Sequence, residues 1–136
     1  MKKLLIIPML FICSMVIGQS KKIIGKPIRI EHLEVAQNDF PKQMNWNEAK
    51  KACYALGSRW RLPTKDELNL LYTNRKKIGG FKKIGDWTVT SYYWSSTEDN
   101  NYASTEYAWR QYFEFDGEQS LGLQTSRFNV RAVRAF

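Results

Sequence analysis

The chain has a single histidine, His32, and two cysteines, Cys13 and Cys53, among its 136 residues. A serine or cysteine nucleophile needs a base within reach and a third group to orient that base. One isolated histidine supplies no such constellation. No cysteine or histidine pair has zinc-ligand spacing. No acidic loop with a central glycine suggests a calcium-binding hand, and no glycine-rich phosphate cradle occurs. A glycosidase-like carboxylate pair would have to be sought among Glu98, Asp99, Glu106, Glu114, Asp116 and Glu118 of the last third. On strand and loop segments such residues are ordinarily solvated. These shortages argue against an enzyme and predict neither cofactor nor metal.

Long apolar runs are scarce as well. Leu4 to Ile17 is almost wholly apolar but too short to span a bilayer. With Lys2 and Lys3 before it, and Val16 and Gly18 at the −3 and −1 positions of a cleavage site, it reads as a signal peptide, residues 1–18. An uncleaved N-terminal anchor is the alternative. Cys13 follows Ile12, where lipidation wants a small residue. Cleavage after Gly18 leaves Cys53 alone, so a monomer has no internal disulfide, and about 118 residues suffice for a core without such staples. Cys53 reads as a buried small hydrophobe among Ala52, Tyr54 and Leu56. The expected location is outside the cytoplasm: periplasmic, on the outer surface, or secreted.

The net charge is +8. Lys2 and Lys3 leave with the signal and no acid does, so the remainder carries +6. That excess favours anionic partners such as anionic polysaccharide or lipid headgroups. Nucleic acid does not suit an exported chain.

Residues 19–27 read as a polar tether and 28–136 as one domain. Ile28 to Ala36 alternates well enough for a first strand. Asn45 is a helix N-cap with Glu48 three residues on, and Trp46, Ala49, Ala52, Cys53 and Leu56 give one apolar face. Gly57 ends that helix. A second helix starts at the capping box Thr64-Lys65-Asp66-Glu67, buries Leu68, Leu71 and Tyr72, and ends at Gly79-Gly80. From Phe81 onward the period becomes two. Tyr92 to Ser96 and Tyr107 to Phe115 read as strands, followed by the hairpin signal Asp116-Gly117. In the second strand Trp109, Gln111, Phe113 and Phe115 are expected inward, and Arg110, Tyr112 and Glu114 on the opposite face. The order is strand, two helices, then strands, an α+β arrangement rather than βαβ crossovers.

Trp46, Ala49, Cys53 and Leu56, then WRLPTKDEL (60–68), YWSST (93–97), Ala108-Trp109 and VRAVRAF (130–136) occur in an order that resembles the Lcl C-terminal-like domains. These domains end bacterial collagen-like adhesins and occur in small exported proteins. The resemblance covers Ile28 to Phe136. It implies a C-type-lectin-like fold, two helices packed on antiparallel β-sheets. That fold also hosts formylglycine-generating enzymes, which use a reactive cysteine pair, and calcium-dependent lectins, which use Glu-Pro-Asn or Gln-Pro-Asp. Neither signature is present. The last third is similar to retroelement-diversified ligand-binding proteins, where scaffold residues stay fixed and exposed residues between them vary.

The resemblance therefore directs attention to the segment between the last two motifs. Asn100, Tyr102, Arg110, Tyr112, Glu114, Gln124 and Arg127 are the expected ligand-binding residues. Their types are those that adaptable paratopes use. The expected function is non-enzymatic recognition of a glycan or a cell-surface protein through residues 98–128. The alternative is a structural or assembly domain of an envelope complex. Arg61, Arg131 and Arg134 are expected to brace the fold by pairing with acids or backbone carbonyls, the alternative being an exposed basic patch, and Trp60, Leu62, Trp94 and Trp109 to fill the core rather than form a ligand platform. Arg75, Lys76, Lys77, Lys82 and Lys83 read as a solvated basic segment, or as a seat for acidic glycan. Exchanging Arg110 and Tyr112 for alanine is expected to leave folding intact but abolish ligand binding.

Overall fold

In the computed structural model, residues 9–57, 59–83, 91–99, 101 and 106–136 are described, with only the helical backbone for 9–16. The elements are α1 (Met9–Ile24), β1 (Ile28–Ile30), β2 (Leu33–Val35), α2 (Trp46–Ala55), α3 (Lys65–Thr73), α4 (Arg75–Ile78), β3 (Tyr92–Glu98), β4 (Tyr107–Tyr112), β5 (Gln119–Leu123) and β6 (Val133–Ala135). Two antiparallel three-stranded sheets form, in the orders β1-β2-β6 and β3-β4-β5. The architecture is α+β.

The helix signals act where the sequence places them. Asn45 caps α2 by accepting the Glu48 N–H at 2.9 Å. Thr64 and Glu67 form both halves of a capping box on α3. The second helix is interrupted at Asn74, however. Its side-chain amide and the Thr73 hydroxyl both donate to the Leu70 carbonyl, a local bond that competes with helix continuation. The predicted first strand is likewise two strands. Glu31 takes a left-handed φ of 51° and turns the chain, so that Ile30 pairs with Leu33.

The segment expected as a polar tether is packed on the domain. Ile23 is buried, and Ile24 lies against the core. The N–H groups of Gln37 and Asn38 donate to the carbonyls of Ile24 and Ile23 at 2.9 and 3.1 Å.

Two apolar clusters hold the layers together. One joins Trp46, Ala49 and Cys53 of α2 to Trp60, Leu62, Trp94, Phe128 and Val130. The other sets Leu68 and Leu71 of α3 against Leu33, Val35, Tyr93 and Phe113. Buried indole N–H groups need acceptors. Trp46 donates to the Ser95 carbonyl at 2.8 Å and Trp94 to that of Met44 at 2.9 Å. Trp60, Leu62 and Trp94 are core, as expected. Trp109 is only half-buried and lies under Lys65, whose Nζ is 3.4 Å from the ring centroid. Cys53 is fully buried, and burial pushes its thiol up to about 12.

The three arginines brace the frame. Arg61 grips Glu67 through two bonds of 2.6 and 2.9 Å. Arg134 donates to Glu34 at 2.7 Å, and Arg29 reaches the same carboxylate. The Arg131 side chain has no exposed surface. Its Nε meets Asp39 at 2.6 Å, and its Nη atoms donate to the carbonyls of Ala36 and Gly79. The Tyr93 hydroxyl donates to the other Asp39 oxygen and accepts the Lys82 N–H at 2.8 Å. Burial pushes the Asp39 carboxyl up, while Arg131 and Tyr93 work against that rise.

Removing one partner of a buried pair strands the other charge. Asp39→Ala is therefore expected to cost about 3–5 kcal/mol in denaturant unfolding. A loss under about 1 kcal/mol, the ordinary value for an exposed pair, would contradict this role for the pair.

Acid sensitivity follows from the other two clusters. The bond from Arg134 is the main cause that holds Glu34 below its ordinary range. For Glu67 burial works upward, but the Arg61 bonds and the Thr64 N–H leave the carboxyl lowered. Both folded values are depressed, so this stability is complete above the ordinary glutamate pKa of about 4.3 and is lost as pH falls through the folded values. The thermal midpoint should fall on acidification below about pH 4.5, and the double change Arg61→Met, Arg134→Met should flatten that limb. An unaltered acid limb in the double variant would exclude the mechanism.

Candidate functional site

Asn100 and Tyr102 lie outside the described residues. The other five expected ligand residues fall into three places rather than one.

Arg110 and Tyr112 share one face of β4, as alternation requires. That face is not bare. The Arg110 guanidinium lies 4.0 Å from the Tyr92 ring centroid and 4.8 Å from that of Phe128, and its Nε donates to the Ser120 hydroxyl at 3.2 Å. The Tyr112 ring packs on Tyr92 with centroids 5.0 Å apart. Partial burial, then the nearby Glu114, raise its hydroxyl pKa. Both residues are half-buried parts of an aromatic stack.

The inward set breaks at its last member. Gln111 and Phe113 are buried, but Phe115 is 81% exposed. Strand β4 ends at Tyr112, and Phe115 takes a left-handed φ of 53° while its carbonyl accepts the Tyr72 hydroxyl at 2.6 Å. That turn reverses the side chain's direction. It stacks on Tyr112 with centroids 6.2 Å apart.

Gln124 sits where the end of β5 meets the start of α2. Its carbonyl accepts the Trp46 N–H at 3.0 Å, its own N–H reaches the Glu106 carbonyl at 2.8 Å, and its side-chain amide donates to the Tyr107 carbonyl at 3.2 Å. A cleft of about 680 Å³ opens beside it, lined by Asn45, Asn47, Glu48, Lys51, Glu106 and Gln124, with Leu123 and Thr125 at its edge. Arg127 is not on its lining; it lines an adjoining, more apolar cleft of about 520 Å³ that shares Glu48, with which it pairs at 3.4 Å. Sequence reasoning missed the cap residue Asn45 and the three α2 residues Asn47, Glu48 and Lys51 as site candidates. Asn47, Glu48 and Lys51 lie on one flank of the first helical turns, and that clustering of polar groups was their only signal.

Glu114 lines a different cleft, of about 390 Å³. There Arg75, Lys76, Lys82 and Lys83 gather round Gly79, Gly80 and Phe81. Lys77 of the basic segment is not among the lining residues. His32 lies exposed, 3.9 Å from Glu67. Among the described residues no group of three histidines, cysteines or acids is placed to hold a metal ion, and no helix is long and apolar enough to cross a membrane.

The helices packed on two antiparallel sheets form a C-type-lectin-like domain, with the clefts at Gln124 and at Glu114 outside the core. The chain belongs to the Lcl C-terminal domain family, whose model matches residues 28–134. Among solved structures, EMS16, an antagonist of the collagen receptor integrin α2β1, is similar with a TM-score of 0.58 and 11% identity, over 81% of this chain and 97% of that one. Botrocetin is similar with a TM-score of 0.56 and 12% identity, over 82% and 98%. At such identity the likeness is one of fold. No curated protein matches the chain in sequence.

The packing around Arg110 revises the expectation that its removal leaves folding intact. Arg110→Ala should cost about 1–2 kcal/mol in chemical denaturation, through lost stacking on two rings and a lost bond to Ser120. Full retention of stability would return Arg110 to the class of free surface residues.

Proposed function

We propose that this domain is an exported, non-enzymatic recognition module that binds a glycan or a cell-surface protein through a surface that residues 106–128 share with α2 and its cap. The observation that carries the reading is the cleft between α2 and the β4–β5 pair. Amides, carboxylates, an ammonium and a hydroxyl converge there on about 680 Å³, with Leu123 as an apolar contact at its edge. Concave sites with a few convergent polar groups are the usual form of ligand pockets. Donors and acceptors mixed in this way suit a hydroxyl-rich ligand, which favours a glycan. Gln124 is held by three hydrogen bonds, so ligand binding need not order it first.

The exposed Phe115 supports a second reading, an assembly domain that docks to one envelope partner. EMS16 is described as an antagonist of a receptor, so this fold can carry a surface for a protein.

Glycan and protein arrays separate the two. In the first reading a soluble ligand binds, and Asn47→Ala with Gln124→Ala weakens it at least tenfold, about 1.4 kcal/mol, with the thermal midpoint changed by only a few degrees. Undiminished affinity in that variant would remove the cleft. One co-purifying envelope protein and no array ligand would favour assembly.

A further inference from the structure

The loop between β4 and β5 joins two properties that seldom occur together in a basic chain. From Phe113 to Glu118 it holds three acids, Glu114, Asp116 and Glu118, and no base. At its centre it displays Phe115, 81% exposed and in a left-handed conformation that a bulky residue adopts only at a cost. The position is enforced. Tyr72 holds the Phe115 carbonyl, and Gly117 packs so closely that a Cβ there would lie 2.2 Å from the Tyr72 ring. A strained backbone is thus used to present an aromatic side chain to solvent, with the exposed acids Asp116 and Glu118 following it in the same turn.

The complementary surface lies next to it on the same chain. Arg75, Lys76, Lys82 and Lys83 line a concave site together with Phe81, Phe113 and a single acid, Glu114. Tyr72 is the wall between the two: its ring lies under the Arg75 guanidinium at 4.1 Å, and its hydroxyl braces the tip. The backbone of the basic loop is fixed from below, by Arg131 at Gly79 and by Tyr93 at Lys82.

From this juxtaposition we infer that the domain pairs with a second copy of itself, the acidic aromatic tip of each chain seated in the basic cleft of the other. Adjacent, opposite patches on one rigid wall allow a two-fold arrangement in which both contacts form at once, which closes the assembly at two chains. Opposite charges set the register and speed encounter, while the buried aromatic supplies the anchor. This association is independent of the polar cleft at α2 and leaves that cleft open for ligand.

The test is sedimentation velocity on the full chain at about 50 mM and about 500 mM salt, with circular dichroism confirming that each variant folds. Dimer at low salt and a shift toward monomer at high salt are expected. Phe115→Ser, the pair Asp116→Lys with Glu118→Lys, and the pair Lys76→Glu with Lys83→Glu should each give monomer. All four charge reversals in one chain should restore the dimer. Wild-type monomer at low salt overturns the inference, as does a dimer indifferent to either reversed pair. A chain with all four reversals that stays monomeric also overturns it. Association through the apolar N-terminal stretch would persist in every reversed variant and is thereby told apart.

Discussion

The buried pair of Arg131 and Asp39 ties together parts of the chain that have no local reason to meet. Arg131 comes from the segment before the last strand, Asp39 from the connection after β2, and the carbonyl of Gly79 from the end of α4. A fully buried guanidinium is costly to desolvate and is tolerated only when its donors are used. Here Nε meets the carboxylate, and the Nη atoms reach two carbonyls. The Phe81 ring covers the guanidinium with its centroid 4.1 Å away. Tyr93 from β3 adds its hydroxyl to the same acid. One charged group thus sets where the two sheets, the helical layer and the basic loop stand relative to one another.

That constraint separates frame from surface. The tryptophans of WRLPT and YWSST go inside, and so do the residues of VRAV. The surfaces open to a ligand are built from what lies between these runs, or from the outer flank of α2. A frame fixed by buried pairs and indole bonds leaves such surfaces free to differ without disturbing the core. The same division makes a common fold a poor guide to the ligand.

Local signals were readable in the sequence wherever the interaction that decides them is itself local. The caps at Asn45 and Thr64 and the turn at Asp116-Gly117 depend on neighbours within a few residues, and each stands as read. Phe115 does not follow its strand pattern because a hydroxyl from Tyr72, far away in the chain, holds its carbonyl and lets the backbone turn over. The polar cleft was illegible for the same reason. It depends on a bond between Trp46 and Gln124, and nothing in either segment announces the other. Arg110 looked like a free surface cation because Phe128, one of the rings it lies on, arrives from a distant segment. Arg131, by contrast, was readable as a brace from its chemistry alone, since a guanidinium can pair with an acid and with backbone carbonyls.

Cys53 lies at the centre of the α2 cluster with no exposed surface, its thiol held protonated by burial. A protonated, enclosed sulfur neither exchanges with disulfides nor oxidises, since both reactions proceed through an accessible thiolate. Its chemistry begins only when α2 lifts from the sheet. The rate at which a thiol reagent consumes it is therefore a clock for the opening of this core, readable without any label added to the chain.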